Sequence, residues 1–184
     1  TWVYFNEARI LGARLELPCV NRSRYKTRLV GETIYIGFIH VQSLERKLAF
    51  ELEAKRLEGG EFLGLADFVD RVHVGLEQMI LLIRTGAFRF TSKSKAELLW
   101  EVHMLLGKKQ EKAQLETLFR HEVGHYSLPE FTHISVEDAY DEAELIGFPV
   151  SLSFFDLLQT SFRGEIKAGE LPAHLGKKVR MVGQ

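Results

Sequence analysis

Cysteine is nearly absent: Cys19 stands alone among 184 residues. No intramolecular disulfide framework can form, and the chain fits a reducing compartment, the cytoplasm. Long apolar runs are missing as well. The longest aliphatic stretch, Met79 to Ile83, falls far short of the roughly 20 residues a membrane helix needs, so no membrane partner is expected. Excess charge of either sign is also lacking: 24 Lys and Arg against 25 Asp and Glu leave 24 − 25 = −1, which excludes a histone-like polycation. There is no low-complexity tract or internal repeat, and prolines number four. What is present, 46% apolar and 27% charged residues, is the mix of a folded domain with a core of its own.

The periodicity reads as mainly α with a small β portion. A short helix over 2–11 stops at Gly12. Arg24 to Val30 and Thr33 to Phe38 read as two strands of a hairpin around Gly31-Glu32. From Val41 the period turns helical, with Leu44, Leu48, Ala49 and Leu52 on one face of a helix ending near Gly59-Gly60. Two shorter helices follow, one around Leu65 to Val72 and one around Leu76 to Ile83, broken at Gly86. Ser94-x-x-Glu97 has the form of a capping box opening a fourth helix. Residues 107–116 are polar and read as a solvated helix or linker, and a further helix is expected from Val136 to Ile146. Phe154, Phe155, Leu157, Leu158 and Phe162 form an apolar cluster that needs a partner surface. The opening residue, Thr1, is not an initiator, and Val179, Met181 and Gly183 alternate with Lys178, Arg180 and Val182 like the start of an unpaired strand. The chain is therefore expected to be a piece of a longer protein.

Two motifs compete for a functional reading. His121-Glu122-x-x-His125 matches the metalloprotease signature, in which two histidines one helical turn apart bind zinc and the glutamate acts as general base. Its context is unlike a buried zinc helix: KKQEKAQ precedes it, Pro129 follows it, and Phe131 stands where a third histidine would be sought. The other motif is basic. Arg22, Arg24, Lys26 and Arg28 occupy every second position, so an extended segment turns all four to one side, where they neutralise phosphates or guard a sheet edge. Arg84, Arg89, Lys93 and Lys95 form a second group without an intervening acid, whereas Glu130, Glu137, Asp138, Asp141, Glu142 and Glu144 gather without a Lys or Arg. Near-zero net charge thus hides a segregation that favours a nucleic-acid-facing surface.

Order and spacing then match a known family. Phe5 to Gly12 (FNEARILG) followed by Leu17 to Ser23 (LPCVNRS), Tyr35 to Arg56, Phe62 to Arg71 (FLGLADFVDR), Leu82 to Phe88 (LIRTGAF) and Glu142 to Ser151 (EAELIGFPVS) together resemble the bacterial replicative DNA polymerase III alpha subunit. The stretch is similar to that family's segment from the end of the fingers through its helix-hairpin-helix region to the start of its OB domain. Residues 107–136, which hold HEVGH, match nothing in it.

The resemblance implies a tandem helix-hairpin-helix domain at 39–106. It is flanked by the end of the fingers with its basic strand (1–38), a variable linker (107–136), a connecting helical segment (137–176) and the first strand of an OB domain (177–184). It implies a DNA-directed DNA polymerase as parent, working on primer-template DNA with other replicase subunits. The parent's magnesium-binding catalytic carboxylates would lie outside this stretch, which needs no cofactor of its own. Duplex contact falls to Arg22, Arg24, Lys26 and Arg28, to Gln42, Ser43, Arg46 and Lys47 at the first hairpin, and to Arg84, Gly86, Lys93 and Lys95. The sequence departs from the family at that hairpin: Gln42-Ser43-Leu44-Glu45 replaces Lys-Gly-Val-Gly, removing both glycines and adding a carboxylate. A zinc hydrolase using His121, Glu122 and His125, and a protein-interaction module using the acidic helix and the Phe154–Phe162 cluster, stand as alternatives.

Overall fold

Two apolar clusters organise the chain, which a computed structural model describes over residues 2–114, 135–158 and 160–182, the side chains of 108–114 and 135 excepted. The larger gathers Phe38, Leu52, Phe68, Leu82, Phe88 and Val102, among others, from the helical middle. The smaller joins Phe5, Ile36, Ile146 and Phe148, bringing the first residues of the chain against residues beyond 145.

Helix α1 (Trp2–Ile10) ends at Gly12. Strands β1 (Arg14–Glu16), β2 (Arg28–Val30) and β3 (Thr33–Tyr35) form a sheet in the order β1-β3-β2. The β2–β3 pair is the expected hairpin, with Leu29 opposite Ile34, and β1 adds in parallel on the far side of β3. A 3-10 turn (Phe38–His40) leads through Val41 to Glu45 into α2 (Arg46–Gly59). Helices α3 (Leu65–Arg71) and α4 (Leu76–Arg84) are joined by the four residues Val72 to Gly75, a tight helix-hairpin-helix connection. Helix α5 (Lys95–Gln114) packs on both α3 and α4, and α6 (Ser135–Leu145) packs on α4.

Local signals explain most boundaries. Ser94 and Glu97 cap α5 reciprocally, the Ser94 N–H donating to Glu97 Oε2 at 2.7 Å and the Glu97 N–H to Ser94 Oγ at 3.2 Å. Helix α4 stops because Gly86 takes the left-handed φ of +73° just beyond its end.

The basic strand is shorter than its alternation predicts: only Arg28–Val30 pairs in the sheet, and residues 24–27 form a loop. Their backbone groups go elsewhere. The Phe38 and Ile39 N–H groups donate to the Arg24 and Tyr25 carbonyls at 3.0 and 2.9 Å, and Gly37 N–H donates to Thr27 Oγ1 at 3.0 Å. Gly37 permits this crossing, since a Cβ there would lie 2.4 Å from the Lys26 carbonyl carbon and the Thr27 nitrogen. Among the described residues of the C-terminal alternation, Met181 forms an antiparallel bridge with Gly164. Phe154 finds a surface within the chain, meeting the Trp2 ring edge-on at 5.6 Å. His121, Glu122 and His125 lie outside the described residues.

Candidate nucleic-acid interface

The loop that carries the basic stripe is pinned along α2 by its inward side chains. Ser23 is buried, and its hydroxyl accepts the Cys19 N–H at 3.1 Å. Asn21 exchanges two hydrogen bonds with the backbone of Phe62, at 2.9 and 2.8 Å. The Tyr25 N–H donates to Glu53 of α2. Arg56, a turn further along α2, donates to the carbonyls of Val20 and, at 2.9 Å, of Ser23. The expected alternation survives as exposure without a strand: Arg22, Arg24 and Lys26 face solvent, whereas Ser23, Tyr25 and Thr27 point inward to varying depth. Arg22 meets Glu61 at 3.2 Å in an exposed ion pair. Arg28 turns back over the Tyr35 ring, and its buried Nε has no hydrogen-bond partner among the described residues. Arg56 is held below the ordinary guanidinium value, first by burial and also by the nearby Arg28 and Arg24 cations, with Glu53 acting in the opposite sense. Arg24 and Arg28 thus lie near Arg56, with Glu53 among them.

The first hairpin adjoins this loop. Ser43 occupies φ +61°, a left-handed conformation usually left to glycine. Two of its backbone donors are already paired. Gln42 N–H donates to the Leu145 carbonyl at 2.7 Å. Glu45 N–H donates to Gln78 Oε1 at 2.9 Å, and the Gln78 amide returns a bond to the Ser43 carbonyl at 3.2 Å. Just inside α2, the Arg46 guanidinium lies over the rings of Tyr25 and Phe50, 5.2 and 5.4 Å from their centroids. Arg46 and Lys47 are exposed. Arg24, Lys26, Arg46 and Lys47 make no ion pair among the described residues.

The second basic group has different company. Arg84 donates from Nε to Asp141 at 2.8 Å and from Nη2 to Glu144, both on α6. These carboxylates, Glu144 foremost, raise its pKa against the opposing effect of burial. Lys95 sits 2.7 Å from Asp138 and 2.9 Å from Asp141. Lys93 pairs with Glu101 at 2.6 Å and Arg89 with Glu16 at 2.8 Å. Gly86, Lys93 and Lys95 line a cleft of about 520 Å³ between α4, α5 and α6 that also contains Glu97, Asp138 and Glu142. Buried Glu142 spends its carboxylate on the N–H groups of Val150 and Ser151, at 2.6 and 2.9 Å, fixing the turn after α6.

The structure therefore places Arg24 and Arg28 near Arg56 and sets Arg46 over Tyr25 and Phe50, both along α2, and places Arg84 and Lys95 against acids of another helix. Sequence reasoning missed Arg56, Tyr25, Phe50 and Gln78. Arg46, Phe50, Glu53 and Arg56 do share a helical face by spacing, but only the loop folded against that face gives it meaning. Among the described residues no group of three His, Cys, Asp or Glu is placed to hold a metal ion.

Residues 12–98 match the helix-hairpin-helix motif family. The chain is similar to DNA polymerase III subunit alpha of Thermus aquaticus, 33% identical over 87 residues, which is 46% of this chain and 7% of that protein. The corresponding subunit of Caulobacter vibrioides is 33% identical over 113 residues, 59% of this chain and 10% of the relative. That of Aquifex aeolicus is 28% identical over 100 residues, 52% of this chain and 9% of the relative. The chain spans about a tenth or less of the length of these proteins. Over about half its length the chain is thus similar to DNA polymerase III alpha subunits, and the part that matches a helix-hairpin-helix motif is residues 12–98.

Proposed function

We propose that this chain is a DNA-contacting, non-catalytic part of a bacterial replicative DNA polymerase and that it grips the duplex phosphate backbone of primer-template DNA in the cytoplasm. The observation that carries this reading is the group of exposed cations, Arg24, Lys26, Arg46 and Lys47, that lack a carboxylate partner among the described residues and sit beside the first hairpin. Such cations displace condensed counterions from DNA, the sequence-independent source of affinity. Arg56 acts behind them as a positioning residue, tying the loop carbonyls of Val20 and Ser23 to α2.

In this reading the first hairpin guides DNA through Gln42, Ser43, Arg46 and Lys47, and the Glu45 N–H takes no part because it is given to Gln78. Gly86, Lys93 and Lys95 line the cleft beside α6, and Arg84, Lys93 and Lys95 contribute less, their charges being shared with Asp138, Asp141, Glu144 and Glu101. Nucleotidyl transfer and its magnesium ions belong to other parts of the parent polymerase, as do its contacts with other replicase subunits. Among the described residues, Asp138, Asp141 and Glu144 of α6 are engaged with Arg84 and Lys95, and Glu142 with backbone, which supports placing that site elsewhere.

The test is duplex binding as a function of salt. Reversing Arg24, Lys26 and Arg28 to Glu weakens binding at low salt and flattens the slope of log K against log salt, by about 0.9 for each phosphate that is no longer neutralised. An unaltered slope refutes the assignment.

A further inference from the structure

The face of α2 that meets the basic loop carries an aromatic pair that backbone gripping does not use. Tyr25 and Phe50 lie with ring centroids 4.9 Å apart, and Arg46 covers both rings. Phe50 is 47% exposed, although large side chains elsewhere on α2, Leu48 and Leu52, are buried in the core. The Tyr25 N–H bond to Glu53 keeps the tyrosine at this position over the helix. Arg24 and Lys26, which flank Tyr25 in the chain, are exposed. The nearby acid, Glu53, is occupied by the backbone of Tyr25, and Glu51 is turned away toward the His73 N–H, which donates to it at 2.8 Å.

We infer that Tyr25, Phe50 and Arg46 form a stacking shelf for an unpaired nucleobase, with Arg24 and Lys26 holding the flanking phosphates of single-stranded DNA. A bare phosphate backbone has no use for an exposed ring. An unpaired base does, since every base offers a π-face and an arginine plane extends the stack. A duplex keeps its bases stacked on one another and cannot use the shelf. The inference rests on this face being a nucleic-acid interface and adds the strand state and the part of the nucleotide that is recognised.

Fluorescence anisotropy on the full chain separates the two claims, using three labelled probes at one salt concentration: an oligothymidylate, an abasic strand of equal length, and a duplex. The expected result is oligothymidylate binding tighter than the abasic strand by about five- to a hundred-fold, the worth of roughly one stacked base. Phe50→Ala and Phe50→Leu both abolish that ratio while leaving abasic-strand and duplex affinities in place. Phe50→Trp preserves it. The leucine variant retains apolar packing, so its loss of the ratio isolates aromaticity from folding. Equal affinity for the oligothymidylate and abasic strands, or a ratio that survives both Phe50→Ala and Phe50→Leu, overturns the shelf. Loss of duplex binding with the ratio intact would instead count against the backbone grip.

Discussion

At the scale of single residues, the interface depends on one position that lacks a side chain. Gly37 lies under the crossing of Lys26 and Thr27, and an added methyl would meet backbone atoms at 2.4 Å, which cannot swing aside as a flexible side chain would. Gly37→Ala is expected to destabilise the fold by about 1–3 kcal/mol, the usual cost of forcing extra volume into a packed site. It should also weaken DNA binding, because the loop bearing Arg24 and Lys26 must lift. Chemical denaturation and duplex titration check the two effects, and unchanged stability would show that the crossing is soft. Sequence alternation announced the outward cations here but gave no sign of Gly37, because a close backbone approach between segments ten residues apart leaves no local pattern.

At the scale of elements, α6 is the counterweight to the second basic group. Its acids looked like a separate surface in the sequence, since charge segregation along a chain does not say what folds against what. In space, Asp141 serves Arg84 and Lys95 together, and Glu144 adds to the hold on Arg84. Arg84→Ala should therefore lower thermal stability, by about 1–2 kcal/mol for charge-assisted, partly buried bonds, and leave the salt slope of duplex binding near wild type. A slope reduced by the worth of a whole phosphate would mean that α6 releases this arginine to DNA. Helix positions were legible because apolar spacing and the Ser94–Glu97 cap are local signals. The loop over residues 24–27 was not, because an alternating segment reads as a strand whether its partners are a sheet or a helix face.

At the scale of the whole molecule, acid should loosen the fold in two stages. Burial holds His40 below its ordinary 6.5, so the unfolded chain takes up that proton first and stability falls as pH drops below about 6.5 toward the lower folded value. Glu97 and Glu165 are held below their ordinary 4.5, chiefly by hydrogen bonds from Ser94 and Arg180 respectively, and Asp156 below 3.8 chiefly by Ser153. Their contribution is present above those ordinary values and is lost as pH falls through the depressed ones. Melting temperatures recorded from pH 8 to pH 3 should show both declines, and His40→Gln should remove the first. A profile level between pH 7 and 5 contradicts the histidine assignment.

Gln78 ties the turn after Val41 to α4, thirty-odd positions further along the chain, through a donor and an acceptor on one amide. Reinstating glycines at Ser43 and Glu45 would thus loosen a backbone whose N–H remains occupied. Freeing that donor for a ligand starts with Gln78 on a different helix, not with the turn itself.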